Sequence, residues 1–459
     1  MECSISQDHF YWPFVLARQT RGCVLNDITK HRIIRLIARI DFLINKQLNL
    51  ILHHSDFQAL EAAWRSLQFL ISNLNQQKRV YVKILDVSFK ELQKDLLNAI
   101  EFDQSQIFKK VYNQEYDIAG GQPYGLLVGN YQFRPAPRDF EMLQALMKIS
   151  AAAFAPFVAG VSPHMFGVND YAELKPTLNF KHLFKLPQYQ RWSQLRQEED
   201  ARFIGLTLPQ FLLREPYNQY ADKNSNRFFT EEPLCRNDFL WGSTAFAYAA
   251  VVCNTFHHSG WLADIRGISA DSYTGGAIEY LPRNYFSVNK AKDIPKVATD
   301  IYLTDSQEKI FSDMGFISLR DNPHINTAVF YNTPSIQQPQ RYSKEKAAQN
   351  AYLSGMLHYV LCASRFAHYV KIMIRDKIGK FISAEECEYF IQQWLLKYCA
   401  ASQHISNDAR AKYPLNEAKV KIHANINDPG KYSCTLYLKP HYQLDEIQTH
   451  LKLVTHITI

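Results

Sequence analysis

The chain has 459 residues, which at ~150 residues per domain allows two to four domains. Apolar residues make up 47% and charged residues 21%, and glycine (17) and proline (19) are sparse, so collagen-like, linker-dominated and wholly disordered chains are excluded. The net charge of +7 is thinly spread, with acidic and basic residues interleaved as in Arg196-Gln197-Glu198-Glu199-Asp200-Ala201-Arg202, and no Lys/Arg run marks a nucleic-acid tail.

Residues 1–29 read as irregular and aromatic-rich. Ile33, Leu36, Ile37, Ile40, Leu43, Ile44 and Leu48 then recur every three or four positions, the pattern of a helix. After His53-His54, Ser55 with Gln58 predicts a capping box and a second helix. Its stripe of Phe57, Leu60, Trp64, Leu67 and Ile71 is narrow, like a helix-pairing seam. Arg79–Val87 reads as a strand, and Ser88 with Glu91 caps a helix running through Ile100. Gly125–Tyr131 has strand length, Asp139–Ala153 is helical, and Phe157–Val161 is strand-like again. The alternation predicts an α/β layer with a mainly parallel sheet.

Trp241–Phe256 is rich in alanine and nearly all apolar, hence a buried helix. Thr299–Leu303 reads as a short strand, with Thr304 capping the next helix and Gly315 stopping it. The polar, proline-bearing stretch 333–343 is the predicted boundary before a long helix, Lys344–Ile378, ended by Gly379. Ser383 opens a further helix to about Ala401. Ala418, Val420, Ile422, Ala424 and Ile426 alternate with polar residues. Asn427-Asp428-Pro429-Gly430 is a turn, and Tyr432, Cys434, Leu436 and Leu438 alternate again. This is a β-hairpin, followed by a third strand at Leu451–Ile459. The expected division is a helical arm at 1–75, an α/β domain at 76–335 and a C-terminal domain at 336–459.

The cysteines (Cys3, Cys23, Cys235, Cys253, Cys362, Cys387, Cys399 and Cys434) form no C-x-x-C, and most lie in apolar stretches, as buried free thiols in a reducing compartment do. The short apolar run Phe10–Leu16 follows acidic residues and lacks the basic start of a signal peptide. No stretch of ~20 apolar residues marks a membrane span. A cytoplasmic chain that does not insert into a membrane is expected.

Motifs for chemistry are missing. The glycines of Ala119–Gly125 precede a strand rather than a helix N-terminus, so they suit a turn better than a phosphate loop. The pairs His53-His54 and His257-His258 are adjacent, and neighbouring side chains on a helix diverge by ~100°, so neither suits chelation. Gly160-Val161-Ser162-Pro163-His164 lacks the second glycine of a nucleophile elbow, and Pro163 has no amide to offer an oxyanion. No catalytic, cofactor or metal residue is assigned. The terminal strands offer edges that pair with other chains, or else close an ordinary sheet. The residues alone leave both readings open, together with a cytosolic α/β enzyme whose pocket carries no recognised motif.

An ordered set of segments resembles one family, the large subunit of the type VI secretion contractile sheath (TssC/VipB type). It comprises His53–Leu67, Gly121–Tyr131, Ala151–Phe157, Ser162–Gly167, Phe203–Pro209 with Leu213-Arg214, Leu240-Trp241-Gly242, Gly260-Trp261, Arg266-Gly267, Ser364–Lys371 with Arg375–Gly379, and Pro440–Glu446. The resemblance implies a contractile-tail-sheath-like α/β fold: a mixed sheet with flanking helices, an N-terminal helical arm and a C-terminal helix-plus-strand domain. It implies a non-enzymatic building block that needs no cofactor and binds no nucleic acid. The implied partners are a small TssB/VipA-type subunit, further copies in a helical sheath, an Hcp-type inner tube, a baseplate, and a ClpV-type AAA+ ATPase for disassembly. A non-contracting sheath paralogue is the alternative within the same resemblance. Strand exchange at Val420, Ile422, Leu436, Leu438, Leu451 and Leu453, and helix contacts at Phe57, Leu60, Trp64 and Leu67, are the interfaces it implies.

Overall fold

The computed structural model describes residues 27–74, 80–118, 120–174, 180–217, 229–267, 275–283, 285–287, 293–295, 297–322, 327–340, 342–378, 384–400, 407–424, 432–441 and 451–457. The chain groups into two compact units, one of residues up to Gln58 with Pro216–Asp238, the other of Ala59–Glu215 with Phe239–Ile459.

The apolar stripe from Ile33 onward forms helix α1, Asp27–Leu52, and α2 spans Ser55–Ser72. The expected Ser55/Gln58 box does not organise α2, because the Gln58 amide instead donates to the carbonyls of Asn237 and Asp238 (3.0 and 3.2 Å). The Ser88/Glu91 box is present and opens α3, Phe89–Asn98. The strand expected at Arg79–Val87 is not formed: its described residues, 80–87, lie outside any helix or strand. A strand needs a neighbour to pair with, and β-prone sequence alone does not supply one.

The main sheet is built from β1 (Leu127–Phe133), β2 (Phe157–Val161), β3 (Ile204–Leu208), β4 (Ala277–Glu279), β5 (Phe316–Asn322) and β6 (Thr327–Phe330), in the order β1-β2-β3-β5-β6-β4. The first three pairings are parallel and the last two antiparallel, so the sheet is mixed. Helix α4, Pro137–Ala153, connects β1 to β2. Strand side chains alternate between two apolar layers, as a period of two requires. Phe157, Ala159, Val161, Leu206, Leu208 and Phe316 face a core with Phe140, Leu143 and Met147 of α4 and with Trp192. Val158, Ile317 and Leu319 face a second core with Tyr248 and Val251 of α5, Thr244–Ser259. Gly205 belongs to this second face, where an added Cβ would meet Leu357 Cδ2 at 2.7 Å and Ile317 Cδ1 at 3.0 Å.

Other boundaries shift for local reasons. The buried alanine-rich helix starts at Thr244, not Trp241, because Ser243 caps it while Trp241-Gly242 pairs with Phe211-Leu212. Thr299–Leu303 is not a strand. Thr299 makes one isolated bridge, to Phe211, and its hydroxyl donates to the carbonyl of Ile301 (2.8 Å), which turns the chain. Thr304 caps α6, Asp305–Asp313, with Gln307 completing a capping box, and Gly315 follows with φ +85°.

The helix expected from Lys344 to Ile378 is two helices, α7 (Glu345–Ser354) and α8 (Leu357–Ile378). Between them the amide and hydroxyl of Ser335 both donate to the carbonyl of Gly355 (2.9 and 2.6 Å), and the amide of Leu357 donates to Thr333 (2.8 Å). Those tertiary bonds replace the intrahelical ones. Helix α9, Ala384–Leu396, and the antiparallel strands β7 (Leu415–Ala424), β8 (Tyr432–Pro440) and β9 (Leu451–Ile457) complete the chain in the order β7-β8-β9. Residues 1–26, the helix stop expected at Gly379, the helix start expected at Ser383 and the turn expected at 427–430 lie outside the described residues. No described helix is long and apolar enough to cross a membrane. Among the described cysteines none is in a disulfide: Cys362 and Cys434 are buried, with burial pushing both thiols up to about 12, whereas Cys235 is exposed.

Candidate assembly interface

In the first unit, helix α1 buries none of its residues. Its stripe residues Leu36, Ile37, Ile40, Leu43 and Ile44 are half or more exposed. An amphipathic helix gains its stability by covering such a stripe, and among the described residues this one is left uncovered. Polar bonds fix its C-terminal end. The Asn49 amide donates to Thr230 O (3.4 Å) and accepts from the amide of Glu232 (3.1 Å). His53 Nε2 lies 3.3 Å from the Glu231 carboxylate, which also accepts from the amide of Tyr217 (3.1 Å). Phe57 is exposed (38%).

In the second unit, Leu60 and Trp64 of α2 are exposed and Leu67 is half-buried. Glu61, on the same helix, accepts from Arg65 Nε (2.6 Å) and Arg214 Nε (2.8 Å). Burial works to raise its pKa, but the hydrogen bonds from Arg214 and Arg65 outweigh it and hold the carboxyl below the usual value of 4.5. Tyr81, Val82, Ile84 and Leu85 are exposed side chains in the unpaired 80–88 stretch.

The C-terminal strands close over a third core. Val420, Leu436 and Leu438 are buried against Phe366 and Val370 of α8 and Ile391 and Leu395 of α9, and Ile422 packs beside them. Trp261 stacks on Phe366 with ring centroids 4.0 Å apart. These strand side chains therefore point into the domain and not toward its surface. Leu451 and Leu453 lie in β9, opposite Leu438 and Leu436 of β8.

The two outer edges of this sheet differ. Along β7, Gln392 of α9 donates to the carbonyl of Ala418 (2.8 Å) and accepts from the amide of Val420 (3.0 Å). Glu388, one turn earlier, accepts from the amide of Ile422 (3.0 Å). At the start of β7, the amide of Ala400 donates to Leu415 O (2.9 Å) and the amide of Leu415 to Tyr398 O (3.2 Å). Among the described residues, no strand pairs with the outer side of β9. Sequence patterning missed this arrangement. Its one trace is a Glu-x-x-x-Gln spacing beside the apolar positions of α9.

The Ser364–Lys371 motif proves to be a packing set. Arg365 lies over the rings of Tyr369 and Phe256 (4.7 and 5.2 Å), and Lys371 over that of Tyr116 (3.6 Å) while pairing with Asp117 (3.2 Å). Among the described residues, no grouping of His, Cys, Asp and Glu could hold a metal ion.

Comparison with known proteins places the whole chain. The EvpB/VC_A0108 tail sheath N-terminal domain (VipB) matches residues 34–337, and the EvpB/VC_A0108 tail sheath gpW/gp25-like domain (VipB_2) matches residues 346–457. The type VI secretion system sheath protein TssC1 of Pseudomonas aeruginosa is 36% identical over 446 residues, covering 96% of this chain and 89% of that protein. Among solved structures, a chain of the anti-feeding prophage baseplate aligns at 9% identity with a TM-score of 0.37, covering 80% of each chain. The sheath tail protein Lin1278 from Listeria innocua aligns at 8% identity with a TM-score of 0.32, covering 69% of this chain and 59% of that one. Matched in chain order by both domains of the family and along nearly its full length by one relative, this chain belongs to the EvpB/VC_A0108 (VipB-type) tail sheath family.

Proposed function

We propose that the chain is the structural large subunit of a type VI secretion contractile sheath. It pairs with a small TssB/VipA-type subunit and polymerises around an Hcp-type inner tube, docked on a baseplate. Contraction drives the tube outward, and a ClpV-type ATPase recovers the spent subunits in the cytoplasm. The chain carries no catalytic chemistry. The division at residues 75 and 335, into arm, α/β domain and C-terminal domain, follows this reading.

The observation that carries the proposal is the match to both sheath domains in order, from residue 34 to residue 457. The uncovered stripe of α1 and the exposed Phe57, Leu60 and Trp64 support it, because a subunit built for a polymer leaves such surface for its neighbours. Strand exchange at the C-terminal sheet supplies the longitudinal joints, through backbone edges rather than through the inward side chains of Val420, Leu436 and Leu438.

Negative-stain electron microscopy of the chain, alone and co-expressed with its small subunit, tests the proposal. Hollow ridged tubes that form only with the partner are expected. Discrete soluble particles and no stable heterocomplex would overturn it.

A further inference from the structure

We propose that a cavity at the seam between the main-sheet core and the C-terminal core binds a small anion, chloride or the end of a single carboxylate, on Arg266, His358 and His441.

Three elements of the second unit bring these residues together. Arg266 lies in the segment after α5, and the amide of its neighbour Gly267 donates to the carbonyl of Phe330 in β6 (2.8 Å). His358 stands in the first turn of α8. His441 comes directly after β8, and its amide donates to the carbonyl of Pro414 (3.0 Å). With Tyr359 and Cys362 they line a cavity of about 260 Å³, counted out to its mouth. Its floor has room for about one water-sized group. Leu357 and Leu361 belong to the main-sheet core, whereas Tyr359 and Cys362 belong to the C-terminal one, so the cavity sits where the two meet. Arg266-Gly267 and Pro440-His441, far apart in the sequence, converge here.

Each of the three offers a nitrogen that the fold leaves unused. Among the described residues, Arg266 Nε and His441 Nε2 are buried and have no hydrogen-bond partner. His358 is 2% exposed; Thr333 Oγ1 lies 2.8 Å from its Nδ1, and no described group bonds its Nε2. When the Thr333 hydroxyl donates to Nδ1, the ring proton sits on Nε2, which is then a donor. A proton on His441 Nε2 supplies the third donor, and an adjacent anion favours it. Buried donors without acceptors are costly, and most so on a charged group. Charge then decides what the acceptor is. Burial lowers the pKa of both imidazoles, and arginine charges add to the shift, Arg266 at His358 and Arg410 at His441. Burial pushes the Cys362 thiol up to about 12, so it stays neutral. No described carboxylate lines the cavity. A water accepts from these donors but leaves the guanidinium charge unbalanced, whereas a small anion does both. The narrow floor suits chloride or a carboxylate end and is too small for sulfate or phosphate.

Titration of the purified full chain with chloride, at ionic strength held constant with gluconate, tests the site. The chloride NMR resonance should broaden, and formate should reverse the broadening where sulfate does not. The thermal midpoint should rise with chloride and level off as the site fills. Arg266→Gln should weaken both responses about tenfold or more, as loss of a charge-assisted hydrogen bond does. His441→Phe keeps a ring but removes its nitrogens; it should weaken them too, and it carries the test if Arg266→Gln does not fold. In a crystal soaked in bromide, an anomalous peak should lie among Arg266, His358 and His441. Equal responses from the wild type and both variants, or no bromide in the cavity, would overturn the inference and leave a water site. The same titration on the complex with the small subunit separates two sources of the anion. A response that persists there assigns the site to a free ion, and one that is lost only there assigns it to an acidic side chain of the partner.

Discussion

His368 and Glu61 both make the fold sensitive to acid, in successive pH windows. His368 is buried in α8, and its Nε2–H donates to the carbonyl of Ala153 (3.0 Å). Burial pushes its pKa down from 6.5 to about 4, and the nearby charges of Arg365 and Lys371 add to the shift. The unfolded chain therefore binds a proton between pH 6.5 and 4 that the folded chain refuses. This contribution to stability is complete above pH 6.5 and falls as pH drops toward 4, by on the order of 3 kcal/mol. His368→Gln, whose amide can still donate, should flatten the pH dependence of chemical denaturation across that window. Glu61 acts lower. Its lowered pKa stabilises the fold above 4.5, and that stability is lost as pH falls further. Glu61→Gln leaves the buried Arg214 without its carboxylate and should cost about 2 kcal/mol at neutral pH, read from the same denaturation curves. The sequence marked both residues only as members of recognisable segments. That each is a buried, hydrogen-bonded group depends on Ala153 and Arg214, which lie 215 and 153 positions away.

At the scale of elements, periodicity made helices and strands legible, and contacts decided where they stop. The stripe of α1 and the capping boxes at Ser88 and Thr304 were readable because they are local. The split between α7 and α8 was not, because Thr333 and Ser335 impose it from outside the helix. Strand character at 80–87 was equally readable, yet no described strand pairs with it. Since Ile37 and Ile40 are more than half exposed, Ile37→Glu with Ile40→Glu should leave thermal unfolding of the chain within about 0.5 kcal/mol. Co-purification with the small subunit should fall tenfold or more, as loss of central apolar anchors does. Gly205→Val works the other way. It forces methyl groups into Leu357 and should destabilise the isolated chain by about 2 kcal/mol or more, measured by denaturant titration.

For the whole molecule, the ordered motifs revealed the sheath family, and the alternation of strands and helices revealed an α/β sheet, because both are written along the chain. That Gln392 and Glu388 bond the outer side of β7 was not written there, since it depends on where α9 lies against β7. One feature joins the molecule mechanically. Helix α8 runs for 22 residues, about 33 Å, without a break. Its first turns, at Leu357 and Leu361, are set in the core of the main sheet, and its later turns, at Phe366, Val370 and Ile374, in the core of the C-terminal sheet. It is a strut with both ends embedded. A load applied to the C-terminal sheet would travel along this rod to β3 at Gly205, with the Ser335 bonds to Gly355 bracing its foot.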